Sequence, residues 1–97
     1  MMMKEKDLIT KVDKYERVTK KGLKEIKKKS ELSTEKESIA DDFLSMAKNY
    51  YNDALFFKKQ GDLLTALAAF SYAHAWLDAG VRAHLFDATD DQLFTLP

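Results

Sequence analysis

The sequence contains no cysteine. That excludes a disulfide framework, thiolate metal sites and a thiol nucleophile. One proline, at position 97, and three glycines leave little material for the tight turns of an all-β fold. Net charge is missing too. Sixteen Lys/Arg balance sixteen Asp/Glu, so the total points neither to nucleic acid nor to an anionic surface. Nor is there a long hydrophobic run. The longest stretch without a charged residue lies between Asp62 and Asp78. It is rich in alanine and falls short of the ~20 apolar residues of a bilayer span. Met1-Met2-Met3 leads into Lys4-Glu5-Lys6-Asp7 rather than an apolar segment, so no signal peptide is expected. The chain reads as cytoplasmic and soluble, with no membrane role. Gly-rich phosphate loops, His-Glu-x-x-His and Gly-x-Ser-x-Gly are also missing, and no cofactor or metal is expected.

What is present is enough for one core. The chain has 97 residues, 45% of them hydrophobic, which suits a single domain over 1–97. The zero net charge is unevenly spread. Residues 1–37 hold twelve Lys/Arg and eight Asp/Glu, net +4; residues 38–97 hold four and eight, net −4. Ten of the eleven aromatics follow residue 42. A basic, aromatic-poor arm is therefore joined to an acidic, aromatic-rich body.

The apolar spacing predicts an all-α fold, an antiparallel three-helix bundle. Helix one is expected over about 4–29, with Leu8, Val12, Tyr15, Thr19, Leu23 and Ile26 on one face. Gly22 lies on the same face and suits a close backbone approach. Asp7–Lys11, Asp13–Arg17, Glu16–Lys20 and Glu25–Lys29 stand at i,i+4, each worth roughly 0.2–0.5 kcal/mol. Lys27-Lys28-Lys29 would sit at the helix end, where the macrodipole favours cations. Helix two is expected over about 35–60. Thr34 and Glu37 have capping-box spacing, with Ser33 as the other possible cap. Ile39, Phe43, Met46, Ala47, Tyr50, Ala54 and Phe57 form one apolar face, and Leu44, Tyr51 and Leu55 a second. Lys58-Lys59-Gln60-Gly61 is a stop signal. Asp62 is the N-cap of helix three, expected over about 63–86, so helices two and three form a hairpin. The main stripe of helix three is Leu63, Leu67, Phe70, His74, Leu77, Val81 and Leu85. A second stripe, Ala66, Ala69, Ala73, Trp76 and Gly80, is mostly small. A helix apolar on so much of its circumference should be covered on several sides. The tail, 87–97, with Leu93, Phe94 and Leu96, is one candidate cover and a second copy of the chain is another.

Ala47-Lys-Asn-Tyr50-Tyr51-Asn-Asp53-Ala54, then Gly61-Asp62, then Tyr72-Ala73-His74-Ala75-Trp76-Leu77-Asp78-Ala79-Gly80-Val81-Arg82 resembles the short archaeal proteins grouped as domain of unknown function 357. The resemblance covers about residues 35–86 and loosely the arm before them. It implies a small helical bundle and an archaeal source, with no established activity. The chain departs from the pattern at His84, where a small residue, often Gly, is expected.

Three constellations bear on function. Ser71, His74 and Asp78 project in parallel from one helix, without an oxyanion site, so no catalytic role is assigned. His74 is expected to be half-buried and hydrogen-bonded to Asp78, Tyr72 or a facing tyrosine. His74 and Asp78 at i,i+4, with Asp53, are too few for a bundle metal site. Tyr50, Tyr51, Asp53, Asp62, Tyr72, His74, Trp76, Asp78 and Arg82 form the candidate binding surface: aromatic walls with a few charges, which small ligands and protein interfaces both use. Within it, Asp62 is expected to cap, Asp78 to pair with Arg82, and Asp53 to meet a lysine or arginine. The reading that follows is a non-enzymatic protein-interaction or self-association module, with a homodimer or another protein as partner. The alternatives are nucleic-acid- or nucleotide-linked work through the basic N-terminal helix, and a small-ligand site around His74, Asp78 and Arg82.

Overall fold

The computed structural model describes residues 5–88 and 94. Its three helices are α1 (Glu5–Glu25), α2 (Thr34–Lys59) and α3 (Leu63–Arg82), an all-α bundle as the spacing predicts. Ser33, rather than Thr34, is the N-cap of α2, its hydroxyl accepting from the Lys36 N–H at 3.2 Å. Thr34 is the first helical residue. Asp62 caps α3 as expected, accepting from the Thr65 N–H at 3.3 Å.

The hairpin of α2 and α3 is built on alanine. Ala40, Ala47 and Ala54 recur every seventh residue of α2, and all three are completely buried. Ala66, Ala73 and Gly80 repeat the spacing on α3 and are buried as well. Side chains this small bring two helix backbones close together. The larger residues then flank the seam: Phe43 meets Trp76, Tyr50 meets Tyr72, and Tyr51 meets Phe70. Ile39 and Leu55, assigned to apolar faces, are exposed instead, while Ala40, next to Ile39, is completely buried.

α1 covers one side of this hairpin. Val12 packs with Ala54, Ala66 and Phe70. Thr19 is fully buried and donates its hydroxyl to the Phe70 carbonyl at 3.4 Å. Gly22 is buried where a Cβ would come within 3.2 Å of Leu77, which is the close approach its position suggests. At one end the clamp is electrostatic. Lys58 of α2 reaches Asp13 at 2.9 Å and Glu16 at 2.6 Å on α1. Those two acids, expected to pair along their own helix with Arg17 and Lys20, are engaged across the bundle.

The other end differs from the sequence-based expectation. α1 stops at Glu25, not Lys29, and α3 stops at Arg82, not residue 86. Both chains continue as short strands, β1 (Lys27–Lys28) and β2 (Phe86–Asp87), which pair antiparallel with Lys27 opposite Asp87 and Lys28 opposite Phe86. The Lys29 N–H adds a bond to the Leu85 carbonyl at 3.0 Å. The cause lies at the C-terminus of α3. His84 takes φ +60°, its N–H bonds Val81 O at 3.1 Å, and the Leu85 N–H bonds Gly80 O at 2.9 Å. This is a Schellman turn, the same device that Gly61 (φ +81°) makes at the end of α2. It folds the chain back so that the Phe86 ring lies on Gly80, where any Cβ would overlap it. The three lysines are therefore not a helix terminus. Lys28 holds Glu37 at 3.0 Å and Asp41 at 2.8 Å, and Lys29 lies 3.9 Å from Asp87.

Two predictions arise from these contacts. Left-handed backbone costs a residue with a Cβ about 1 kcal/mol that glycine avoids. His84→Gly is therefore expected to stabilise the protein by up to about 1 kcal/mol in urea unfolding, and a loss of stability would contradict this turn. The second concerns pH. Hydrogen bonds to Glu16 and then Asp13 raise the Lys58 pKa, and burial, with the Glu16 charge, raises that of the Tyr51 phenol. Both shifts are upward. The stability they contribute is complete below the ordinary values near pH ~10–10.4 and is lost as pH rises through the raised ones. Lys58→Met and Tyr51→Phe should each make the alkaline decline shallower. For the partly exposed Lys58 the change is at most about 1 kcal/mol. Unchanged steepness in a pH series of urea titrations would contradict this.

Candidate functional site

The hairpin side facing away from α1 carries the most distinctive surface. Tyr50 and Tyr72 stack there at 5.5 Å between centroids, and Phe43 meets Trp76 edge-on at 5.0 Å. Tyr50, Asp53, Phe57, Thr65, Ala68 and Tyr72 line an open groove of about 200 Å³ between the helices. Along α3 it is followed by a hollow of about 280 Å³ lined by Tyr72, Ala75, Trp76 and Ala79. Tyr72, shared by both, is 60% exposed. The α3 wall follows helical spacing, Ala68, Tyr72, Ala75 and Ala79 being three or four residues apart, and it carries no charge. Asp53 stands on the α2 rim. A salt bridge to Lys or Arg is expected for it, but it has no ion-pair partner among the described residues.

The other candidate residues lie elsewhere. Tyr51 turns to the α1 side, against Phe70 at 5.7 Å, so the aromatic wall of the expected surface is split between two sides of the hairpin. Asp62 is spent on capping α3. His74 also lies on the α1 side, where its ring stacks on Phe94, with centroids 5.8 Å apart and planes 4° from parallel. Phe94 is buried and closes over Gly22 and Leu77. Of the three apolar tail residues expected to give cover, Phe94 is described, whereas Leu93 and Leu96 fall outside the described residues. His74 Nε2 is 3.6 Å from Asp78 Oδ2, an ion-pair distance when the ring is charged but too long for a hydrogen bond. Its Nδ1 is buried and finds no hydrogen-bond partner among the described residues. Ser71 donates its hydroxyl to the Leu67 carbonyl of its own helix at 2.9 Å. Asp78 and Arg82 are each engaged within the chain.

The nine candidate residues thus do not converge. Tyr50, Asp53, Tyr72 and Trp76 share the outer face, Tyr51 and His74 the α1 side, and Asp62 the hairpin turn. Ala68, Ala75 and Ala79 belong to the outer wall and were not among the candidates. Their signal is the uncharged stretch from Leu63 to Leu77: a helix without charge has an uncharged outer face too. Among the described residues no group of three His, Cys, Asp or Glu is arranged to hold a metal ion. Nor is any helix there long and apolar enough to cross a membrane.

Comparison with curated proteins finds no match, and comparison with solved structures finds none either. One family model does match. It is described as Protein of unknown function (DUF357) and covers residues 14–86, from the middle of α1 through the whole hairpin to Phe86. This agrees with the family that the Tyr72–Arg82 string resembles. It also bears on His84, whose left-handed turn explains why a small residue is expected there. With most of its length matched, the chain belongs to this family of proteins of unknown function.

Proposed function

We propose that the protein is a non-enzymatic interaction module and that the outer face of the α2–α3 hairpin is its docking surface. One observation carries this reading: an uncharged helix wall beside the exposed Tyr72, stacked on the half-buried Tyr50, on the side of the hairpin that α1 leaves bare. Tyrosine and tryptophan supply large contact area at low cost in side-chain freedom, which is why they anchor protein interfaces. Contiguous exposed apolar surface on a small domain marks such a site. The polar groups of α3, to which no catalytic role is assigned, have other occupations. The Ser71 hydroxyl is bonded into its own helix, and His74 is stacked under Phe94. The alternative nucleic-acid reading has less support, because Lys28 and Lys29 of the basic arm, which follow α1, are used in ion pairs with Asp41 and Asp87.

Site-specific photo-crosslinking in the cells of origin tests the proposal. A photoreactive phenylalanine at Ala75, in the outer wall, should give a discrete protein adduct. The same group at Lys14, on the exposed side of α1, should give none. Absence of an adduct at 75, or equal labelling at 14, contradicts the proposal.

A further inference from the structure

Resting on that docking surface, we infer that its partner is a basic amphipathic helix of another protein, with Lys or Arg along one edge of its apolar stripe. Charge is distributed unevenly around the outer face. Glu35 and Asp53 are eighteen residues apart on α2, five whole turns, and Asp42 lies within about 20° of both at 100° per residue. These three exposed carboxylates form one edge of the helix. Asp53 borders the groove, and Asp42 adjoins Phe43, which meets Trp76 at the second hollow. None of the three has an ion-pair partner among the described residues. Every lysine of α2 lies about 100° or more round the helix from this edge. The α3 wall opposite carries no charge.

Between the acidic edge and that wall runs an apolar band. Ile39, Met46 and Tyr50 fall within about 40° of one another on α2, and Ile39, 41% exposed, extends the band beyond the hollow. A helix covers such a band lengthwise by laying its own apolar stripe in the groove. The opposite side of the hairpin holds a helix already: α1, whose Asp13 and Glu16 meet Lys58. On the outer side the signs are exchanged. The hairpin supplies the acids, so the occupant supplies the cations, and a nucleic acid or an acidic helix is repelled. Asp42 and Asp53 stand about 16 Å apart along α2. The partner's cations therefore recur after about eleven residues, three turns of its own helix.

The test titrates the full chain with synthetic helical peptides of about 18 residues that lack tryptophan. Trp76 is the only tryptophan of the chain and lines this face, so its fluorescence reads binding there. The first peptide carries a leucine stripe, edged by two lysines about eleven residues apart. The second has glutamates in place of those lysines, and the third keeps the lysines but scatters the leucines round the helix. The first should change Trp76 emission saturably and bind at least about tenfold more tightly than either of the others. Asp42→Lys with Asp53→Lys should reverse the preference between the first two, with helical circular dichroism unchanged. No binding of the first peptide, equal binding of the second or third, or an unchanged preference in the double variant overturns the inference. An Ala75 adduct with the mass of two 11.1 kDa chains overturns it too, but leaves the docking surface standing. Absence of any adduct at Ala75 removes both readings.

Discussion

Ala40, Ala47 and Ala54 have no exposed surface where α2 packs on α3, on which Ala66 and Ala73 are buried at the same spacing. The rest of the fold depends on this contact. Two helices with large residues at the seam would stand further apart and bury those residues between them. Here the backbones close up, and the aromatic residues are displaced to the two flanks. On one flank Phe70 and Tyr51 receive α1. On the other, Tyr50, Tyr72, Phe43 and Trp76 pair across the hairpin and form the outer face. The proposed docking surface and the α1 contact are thus two results of one packing choice. Alanine also has the highest helix propensity, so the seam agrees with the local preference of both helices.

The ends of the bundle are closed by other means. At the hairpin end, Gly61 and Asp62 turn the chain, and Lys58 joins α2 to α1 through Asp13 and Glu16. At the far end the β1–β2 ladder joins the exit of α1 to the exit of α3, and Lys28 ties the same corner to α2 through Glu37 and Asp41. The division of charge between a basic arm and an acidic body is accounted for in part by these contacts. Surface ion pairs of this kind stabilise little individually, but each of these two lysines bridges two acids and links separate elements. Their effect is to orient α1 on the hairpin.

Much of this was legible in the residues. Three helices, the Gly61-Asp62 turn, the Asp62 cap and most of the α3 core follow from apolar spacing and capping chemistry, which are local. The β ladder was not legible. Lys27-Lys28-Lys29 continues a helical pattern of charge, and its extended form depends on Phe86 returning over Gly80, a contact between distant parts of the chain. The departure at His84 marked the place, yet read as composition it said nothing of a left-handed turn. The candidate surface was recognised by residue type and then divided by geometry. Tyr50 and Tyr51 are neighbours in sequence, but consecutive helical residues point about 100° apart. One joins the outer face and the other the α1 contact. The alanines of the outer wall were passed over because alanine carries no chemical signal, although its absence of bulk and charge gives that wall its character.

The central claim is that the small-residue seam sets the separation of α2 and α3. The most direct test compares Ala47→Leu, at the middle of the seam, with Ser45→Leu, exposed on the same helix, by urea unfolding. Overpacking a closed contact costs about 1–3 kcal/mol, whereas an exposed substitution changes stability by about 0.5 kcal/mol or less. The account predicts that Ala47→Leu loses at least about 1 kcal/mol while Ser45→Leu remains near the original protein. Equal and small changes at both positions would contradict it.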